Sequence, residues 1–245
     1  MAVALVLTIS SGIVDVVGFL GVFNLFAAHL TGTTVHLGQG IVFREPEQVI
    51  AAFLIVVAFF LGSVVGRALI EAGARWRFRR IAGVTLAIEA TMLAIVVASI
   101  STKMAGARPA PPGTYFYLAL VAGAMGMQTA TLTRVGPLTV HTTFVTGMIN
   151  KLAQLVSRIL FRGYDFLRGR DTIEKRAEQR AESRHAIFIF SIWVCYVLGA
   201  VAGSASYLRW GIQALFVAVA GLAVSIVTDL FAPLSVAEER EQSER

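Results

Sequence analysis

The chain has 245 residues, of which 56% are hydrophobic and only 15% charged, with a mean hydropathy of +0.74. A soluble domain of this size needs more charge at its surface, so the composition excludes a soluble enzyme and predicts an all-α integral membrane protein. The net charge of +6 does not point to nucleic acid, because the basic residues lie between apolar runs, as in cytoplasmic loops.

A spanning helix needs about 20 apolar residues to cross about 30 Å of hydrocarbon. Six stretches meet this, at about 2–26, 48–72, 81–100, 115–133, 186–207 and 210–231. Apolar residues begin at Met1 with no basic leader, and Asp15 interrupts the first run. The start is therefore expected to be a retained span. Cys195 is the only cysteine, which excludes an intramolecular disulfide framework and a multi-cysteine metal site.

Segment 28–43 departs from the apolar pattern. It contains HLTGTTVHLGQGIV, too polar and glycine-rich to face lipid. As a helix its 16 residues would rise only about 24 Å. It reads as a re-entrant or broken helix covered by protein. Segment 139–157 looks similar. Thr31-Gly32 and Leu37 align with Thr146-Gly147 and Leu152 at an offset of 115, and Ser11-Gly12 aligns with Met125-Gly126 at 114. Each half then reads span, Thr-Gly segment, span, span, which predicts a 3+3 repeat. The first half-repeat is 1–105 and the second 115–232. An external linker at 106–114, a cytoplasmic charged segment at 158–184 and a disordered tail at 233–245 complete the chain.

Charge sets the orientation. If both Thr-Gly segments return to the side they left, 17 of the 21 Lys and Arg residues fall in the cytoplasm, and Arg44, Lys103, Arg108 and Arg209 fall outside. The first half then starts inside and the second outside, so the repeats are inverted, as in many secondary transporters.

Several residues could carry chemistry. Asp15 and Glu89 lie inside spans, where an ionisable group costs on the order of 3 kcal/mol on insertion scales and must face protein or water. They are the candidate proton-coupling carboxylates, against the rival reading of structural hydrogen bonding. The Thr-Gly segments offer hydroxyls and unpaired helix N-termini to an anionic or carbonyl-bearing solute. Thr31, Gly32, Thr33, His36, Gln128, Thr146 and Gly147 are the candidate substrate-binding residues; close helix packing is the rival reading for the glycines. His29 and His36 lie about 10 Å apart along a helix, too far to share a metal ion. No metal or cofactor is expected. Ser10, Ser11 and His29 lack a nucleophile elbow, and the chain has no P-loop, so neither an enzyme nor ATP-driven transport is expected. Segment 158–168 mixes Ile159, Leu160, Phe161, Tyr164, Phe166 and Leu167 with arginines, as a membrane-surface helix would.

Four stretches, SGIVDVVGFLGVF (11–23), HLTGTTVHLG (29–38), AGAMGMQTA (122–130) and TTFVTGMINKLAQL (142–155), together resemble the YoaK family of bacterial inner-membrane proteins. Thr33 and Thr129 stand where the family pattern usually has asparagine. The resemblance implies a multispanning protein of the bacterial inner membrane, and some family members look like exporters of small molecules.

The functional expectation is a small-molecule secondary transporter, with a passive channel or facilitator, or a non-transporting scaffold or sensor, as alternatives. The expected partners are the lipid bilayer, an unidentified small-molecule substrate and no nucleic acid. A second copy of the chain is the candidate partner for a homo-oligomer.

Overall fold

The computed structural model describes residues 2–21, 24–78, 80–99, 113–131, 134–135, 138–139, 145–168 and 173–231. The tail at 233–245 and nearly all of the linker at 106–114 lie outside the described residues. The described chain forms eight α-helices: α1 (Ala2–Gly21), α2 (Leu30–Phe43), α3 (Pro46–Arg75), α4 (Ile81–Ser99), α5 (Gly113–Thr131), α6 (Val145–Leu167), α7 (Ile173–Trp210) and α8 (Leu215–Phe231). A 3₁₀ turn, Gly211–Ala214, joins the last two, and Arg134–Val135 pairs antiparallel with Leu138–Thr139 between α5 and α6.

Among the described residues, four stretches are both long and apolar enough to cross a membrane: Ala2–Gly21, Pro46–Arg75, Ile81–Ser99 and Gln179–Phe231. The last bends at the 3₁₀ turn and so contains most of α7 and all of α8. Helix α5, expected as a span, is not among them. Thr114, Gln128, Thr129 and Thr131 dilute its apolar content, and most of its second half is buried against protein.

Element boundaries differ from the sequence expectation where local chemistry decides them. The first span stops at Gly21, before the non-helical stretch Leu25–His29. Helix α2 has 14 residues, a rise of about 21 Å, which is short of a crossing. It ends at Arg44, which takes φ 59° and is followed by a Glu45 N–H bond to the Gly40 carbonyl; Pro46 then opens α3. Segments 139–157 and 158–184 are not divided at 157. One helix, α6, runs through, because Met148, Leu152, Leu155 and Ile159 keep a continuous apolar face at three- and four-residue spacing. Residues 173–185 belong to the first turns of α7, and Glu182 there pairs with Arg158 and Arg162 of α6 at 3.8 and 3.2 Å.

The helices pack in matching pairs. Helix α3 lies along α5 and α7 along α1; α4 packs on α5 and α8 on α1; α2 lies on α3 and α6 on α7; α4 packs on α8. Two glycine seams carry the tightest contacts. On the α1–α7 seam, Gly12 lies against the Tyr196 carbonyl, Gly199 against Ile9 and Gly203 against Ile13. On the α5–α3 seam, Gly126 lies against the Phe59 carbonyl, Gly62 against Gly123 and Gly66 against Met127. One constant offset converts the α1 residues into those of α5, and a second converts α3 into α7. A third relates the buried stripe Leu86, Glu89, Leu93 and Val96 of α4 to Leu215, Ala218, Leu222 and Ser225 of α8.

The same contacts give directions. Ascending contacts make α1 parallel to α7 and α3 parallel to α5. Gly21 meets Ile212 while Ser10 meets Gly221, so α1 and α8 are antiparallel. Thr85 meets Thr131 while Met92 meets Gly123, so α4 and α5 are antiparallel. Gly83 meets Asp229 near the end of α8, and α4 also reaches the 3₁₀ turn at its start, so these two are antiparallel as well. Helices α1, α4 and α7 therefore run one way, and α3, α5 and α8 the other. Outside the bundle, Phe53, Phe60, Leu61, Val64 and Val65 of α3 are exposed, as suits a lipid-facing helix.

Candidate functional site

The site is built around the break after α1. Non-helical backbone leaves N–H groups without helical partners, and where it is buried each must find another acceptor. Asp15, on the last turns of α1 and 1% exposed, supplies one. Its Oδ1 accepts the Ala28 N–H at 2.9 Å. Its Oδ2 accepts the Tyr196 hydroxyl at 2.6 Å and lies 3.3 Å from His29 Nδ1. The Tyr196 oxygen is itself 3.4 Å from His29 Nδ1. Three chain segments thus meet on one carboxylate: α1, the break and α7.

Neighbouring side chains fix the break in place. The Thr33 hydroxyl donates to the Phe26 carbonyl at 2.9 Å, and the Phe26 ring stacks on Phe19 with centroids 4.4 Å apart. Leu25 and Ala27 are buried. The His29 side chain, 35% exposed, is the part of this cluster that reaches the surface. It lies beyond the end of α1. Its hydrogen bond with Asp15 raises its pKa from the ordinary 6.5, against desolvation and with help from the carboxylate charge. The arrangement joins the Asp15 carboxylate and the His29 ring to the shape of the break.

A second polar link crosses from α1 to α5. Gln128 Nε2 donates to the Leu7 carbonyl at 3.1 Å. The Ser11 hydroxyl lies 3.2 Å from Gln128 Oε1 and 2.9 Å from the Leu7 carbonyl, so its one hydrogen has two acceptors. Glu89, 1% exposed in the middle of α4, is different: its Oε2 has no hydrogen-bond partner.

The remaining sequence candidates are more dispersed. Thr33 is buried beside the break; Gly32 and His36 are half-buried, and Thr31 is exposed on α2. The His36 carbonyl accepts Gln48 Nε2 at 2.9 Å, tying α2 to α3. Thr146 is exposed and Gly147 half-buried at the start of α6, which packs on α7. Among the described residues, no three His, Cys, Asp or Glu side chains converge as a metal site would need. Sequence reasoning missed Tyr196, since nothing in FIFSIWVCYVLGA marks one tyrosine as a partner for Asp15. It also missed Asp229, whose Oδ2 accepts the Gly83 N–H at 3.1 Å in the first turn of α4.

The glycine seams give a further comparison. The offset that turns Gly12 into Gly126 turns Asp15 into Thr129, and the offset that turns Gly199 into Gly62 turns Tyr196 into Phe59. The carboxylate–hydroxyl link between Asp15 and Tyr196 occurs on one of these two seams only.

A family model described as "Protein of unknown function (DUF1275)" matches residues 3–228. The UPF0700 transmembrane protein YoaK of Bacillus subtilis (strain 168) is 26% identical over 155 residues, covering 63% of this chain and 66% of that protein. The match thus spans just under two thirds of that relative's length. No solved structure matches. Its helices and its family together make this chain a multi-pass integral membrane protein, a YoaK-like member of the DUF1275 family.

Proposed function

We propose that the chain is a proton-coupled, small-molecule secondary transporter of the bacterial inner membrane, built from two inverted halves with six spanning helices. The observation that carries this reading is the pairing of the two glycine seams. Helices α1, α3 and α4 have counterparts in α5, α7 and α8 that make matching contacts and run the opposite way, and α2 packs on α3 as α6 packs on α7, which supports the reading. In this reading α2 and α6 return to the side they left. Inverted halves of this kind provide alternating access by rocking about a central site. Asp15 and Glu89 serve the coupling. Gln128, Thr33 and His36, with the first turns of α2 and α6 at Thr31-Gly32 and Thr146-Gly147, face the solute path.

The test uses purified protein in proteoliposomes. Solutes that raise the unfolding midpoint of the protein are first found by thermal shift. Each is then offered with an imposed proton gradient. Accumulation above the external concentration supports coupled transport. Equilibration without accumulation makes the protein a passive facilitator, and no flux of any stabilising solute makes it a sensor or scaffold.

A further inference from the structure

Four helices share the centre of the bundle. Helices α1 and α4 each pack on both α5 and α8. Their contacts fix how deep each side chain lies. Thr85 of α4 meets Thr131 of α5 at 3.0 Å, and Met92 meets Gly123, so Glu89 lies level with Gly126 and Met127, within one turn of Gln128. Gly83 meets Asp229, and about 9 Å further along α4 Glu89 is level with Ala223, about half a turn from Gly221 on α8. The Ser10 hydroxyl of α1 occupies the notch at Gly221, where an added Cβ would come within 2.4 Å of it. Ser11 and Gln128 meet at 3.2 Å. Ser10 and Ser11 of α1, Glu89 of α4 and Gln128 of α5 therefore lie at similar depth, forming one polar layer beside Gly221 of α8.

Two oxygens of this layer, Glu89 Oε2 and Ser10 Oγ, are buried without a hydrogen-bond partner. Buried polar atoms are nearly always paired, so two orphans at one depth mark something missing. Among the described residues, no Lys, Arg or His is buried in the core to meet Glu89. Among the described residues, the charged side chains buried in the core are the carboxylates Asp15, Glu89 and Asp229. Helix α5 presents no charged group. Asp229 of α8 is engaged with the Gly83 N–H, and Asp15 of α1 with His29, Tyr196 and Ala28. On α3, Arg67 pairs with Glu71 at the surface.

We propose that this layer is a binding site for a monovalent cation. Glu89 supplies the charge, and Ser10 Oγ and Gln128 Oε1 supply neutral oxygens. A single carboxylate balances a single positive charge, and an all-oxygen donor set suits a hard metal ion or a primary ammonium. The proposal deepens the transporter reading and rests on it for its purpose: the cation is either an ion exchanged against the proton at Glu89 or the charged head of the solute.

The test is binding, which needs no transport. The purified full chain is unfolded thermally at one fixed alkaline pH, with choline chloride replaced at constant ionic strength by sodium chloride or by methylammonium chloride. A saturable rise of several degrees in one series is expected, lost in Glu89→Gln and shifted to higher concentration in Ser10→Ala. Glu89→Gln keeps the side-chain shape and removes an unpaired charge, so the variant should fold. Direct binding of radioactive sodium to the parent, competed by methylammonium, gives a second readout. A response to sodium alone identifies an inorganic ion, and one to methylammonium alone a solute head group. No saturable response to either, or equal responses in the parent and Glu89→Gln, overturns the proposal. Binding without uphill transport would remove the transporter reading and leave the site.

Discussion

Tyr196 reaches from α7 to donate its hydroxyl hydrogen to Asp15 Oδ2 at 2.6 Å, so the seam between α1 and α7 and the break that follows α1 are held by the same carboxylate. Tyr196→Phe keeps the ring and deletes the donor. A hydrogen bond to a charged group is worth about 1.5–3 kcal/mol. The variant should unfold at a lower temperature by a corresponding amount, with its helical content intact, as followed by circular dichroism. An unchanged midpoint would show that the hydroxyl finds an equal partner elsewhere.

Asp15→Asn should behave differently. The amide oxygen can still accept the Ala28 N–H, and its NH₂ group can face the Tyr196 oxygen, so the fold should survive. The side chain can no longer exchange a proton. The expected result in proteoliposomes is loss of uphill transport with exchange down a solute gradient preserved. Parental accumulation by this variant would make Asp15 purely structural.

The His29–Asp15 contact should make stability depend on pH. The folded pKa of His29 is raised above its ordinary 6.5. The extra stability is therefore fully present below about 6.5 and is lost as pH rises through the folded value. His29 is about a third exposed, so solvent screening reduces the effect. The unfolding midpoint of the parent minus that of His29→Gln should be largest in mildly acidic buffer and shrink towards alkaline pH. A difference that grows with pH contradicts the assigned pairing.

The glycine seams leave no room for a methyl group. A Cβ at Gly126 would lie 2.1 Å from the Phe59 carbonyl oxygen, and one at Gly12 2.4 Å from that of Tyr196. These obstacles are backbone atoms and cannot rotate away. Gly126→Ala and Gly12→Ala should each cost about 1–3 kcal/mol or more through forced helix separation. Gly38→Ala on α2 meets nothing within 4 Å and should be neutral or mildly stabilising. Comparable losses at Gly38 and Gly126 would mean that the seams are not tightly packed.

Open positions also serve for topology. Gly38 and Gly163 both have free space around an added Cβ. In a Cys195→Ala background, an impermeant thiol reagent added outside cells should label Gly38→Cys and spare Gly163→Cys until the membrane is opened. Outside labelling of Gly163→Cys is incompatible with inverted halves.

Apolar runs revealed most of the helices because lipid demands them, and the polar HLTGTTVHLG marked the short helix after the first span. Asp15 stood out because a carboxylate in an apolar run always needs an explanation. Its partner did not: Tyr196 is distant in sequence, and only packing brings the two together. The seams left a readable trace that the earlier alignment did not use. Gly62 and Gly66, like Gly199 and Gly203, are four apart, the spacing that lets membrane helices approach closely. The continuous run of α6 through residue 157 was hidden by its arginines, which suggested a boundary where the apolar face carries on.

Thr129 and Phe59 stand on the α5–α3 seam where Asp15 and Tyr196 stand on the other. A hinge with matched halves has no preferred sense by itself, since each end can open as easily as the other. Placing the acid–base pair at one end breaks that equivalence. If the halves rock as proposed, the molecule is mechanically even-handed but chemically lopsided, with the Asp15–Tyr196 hydrogen bond on one seam and Thr129 and Phe59 in its place on the other. Any difference in stiffness between the seams would then follow from two side chains rather than from the architecture, and moving that pair to the other seam should move the stiffer seam with it.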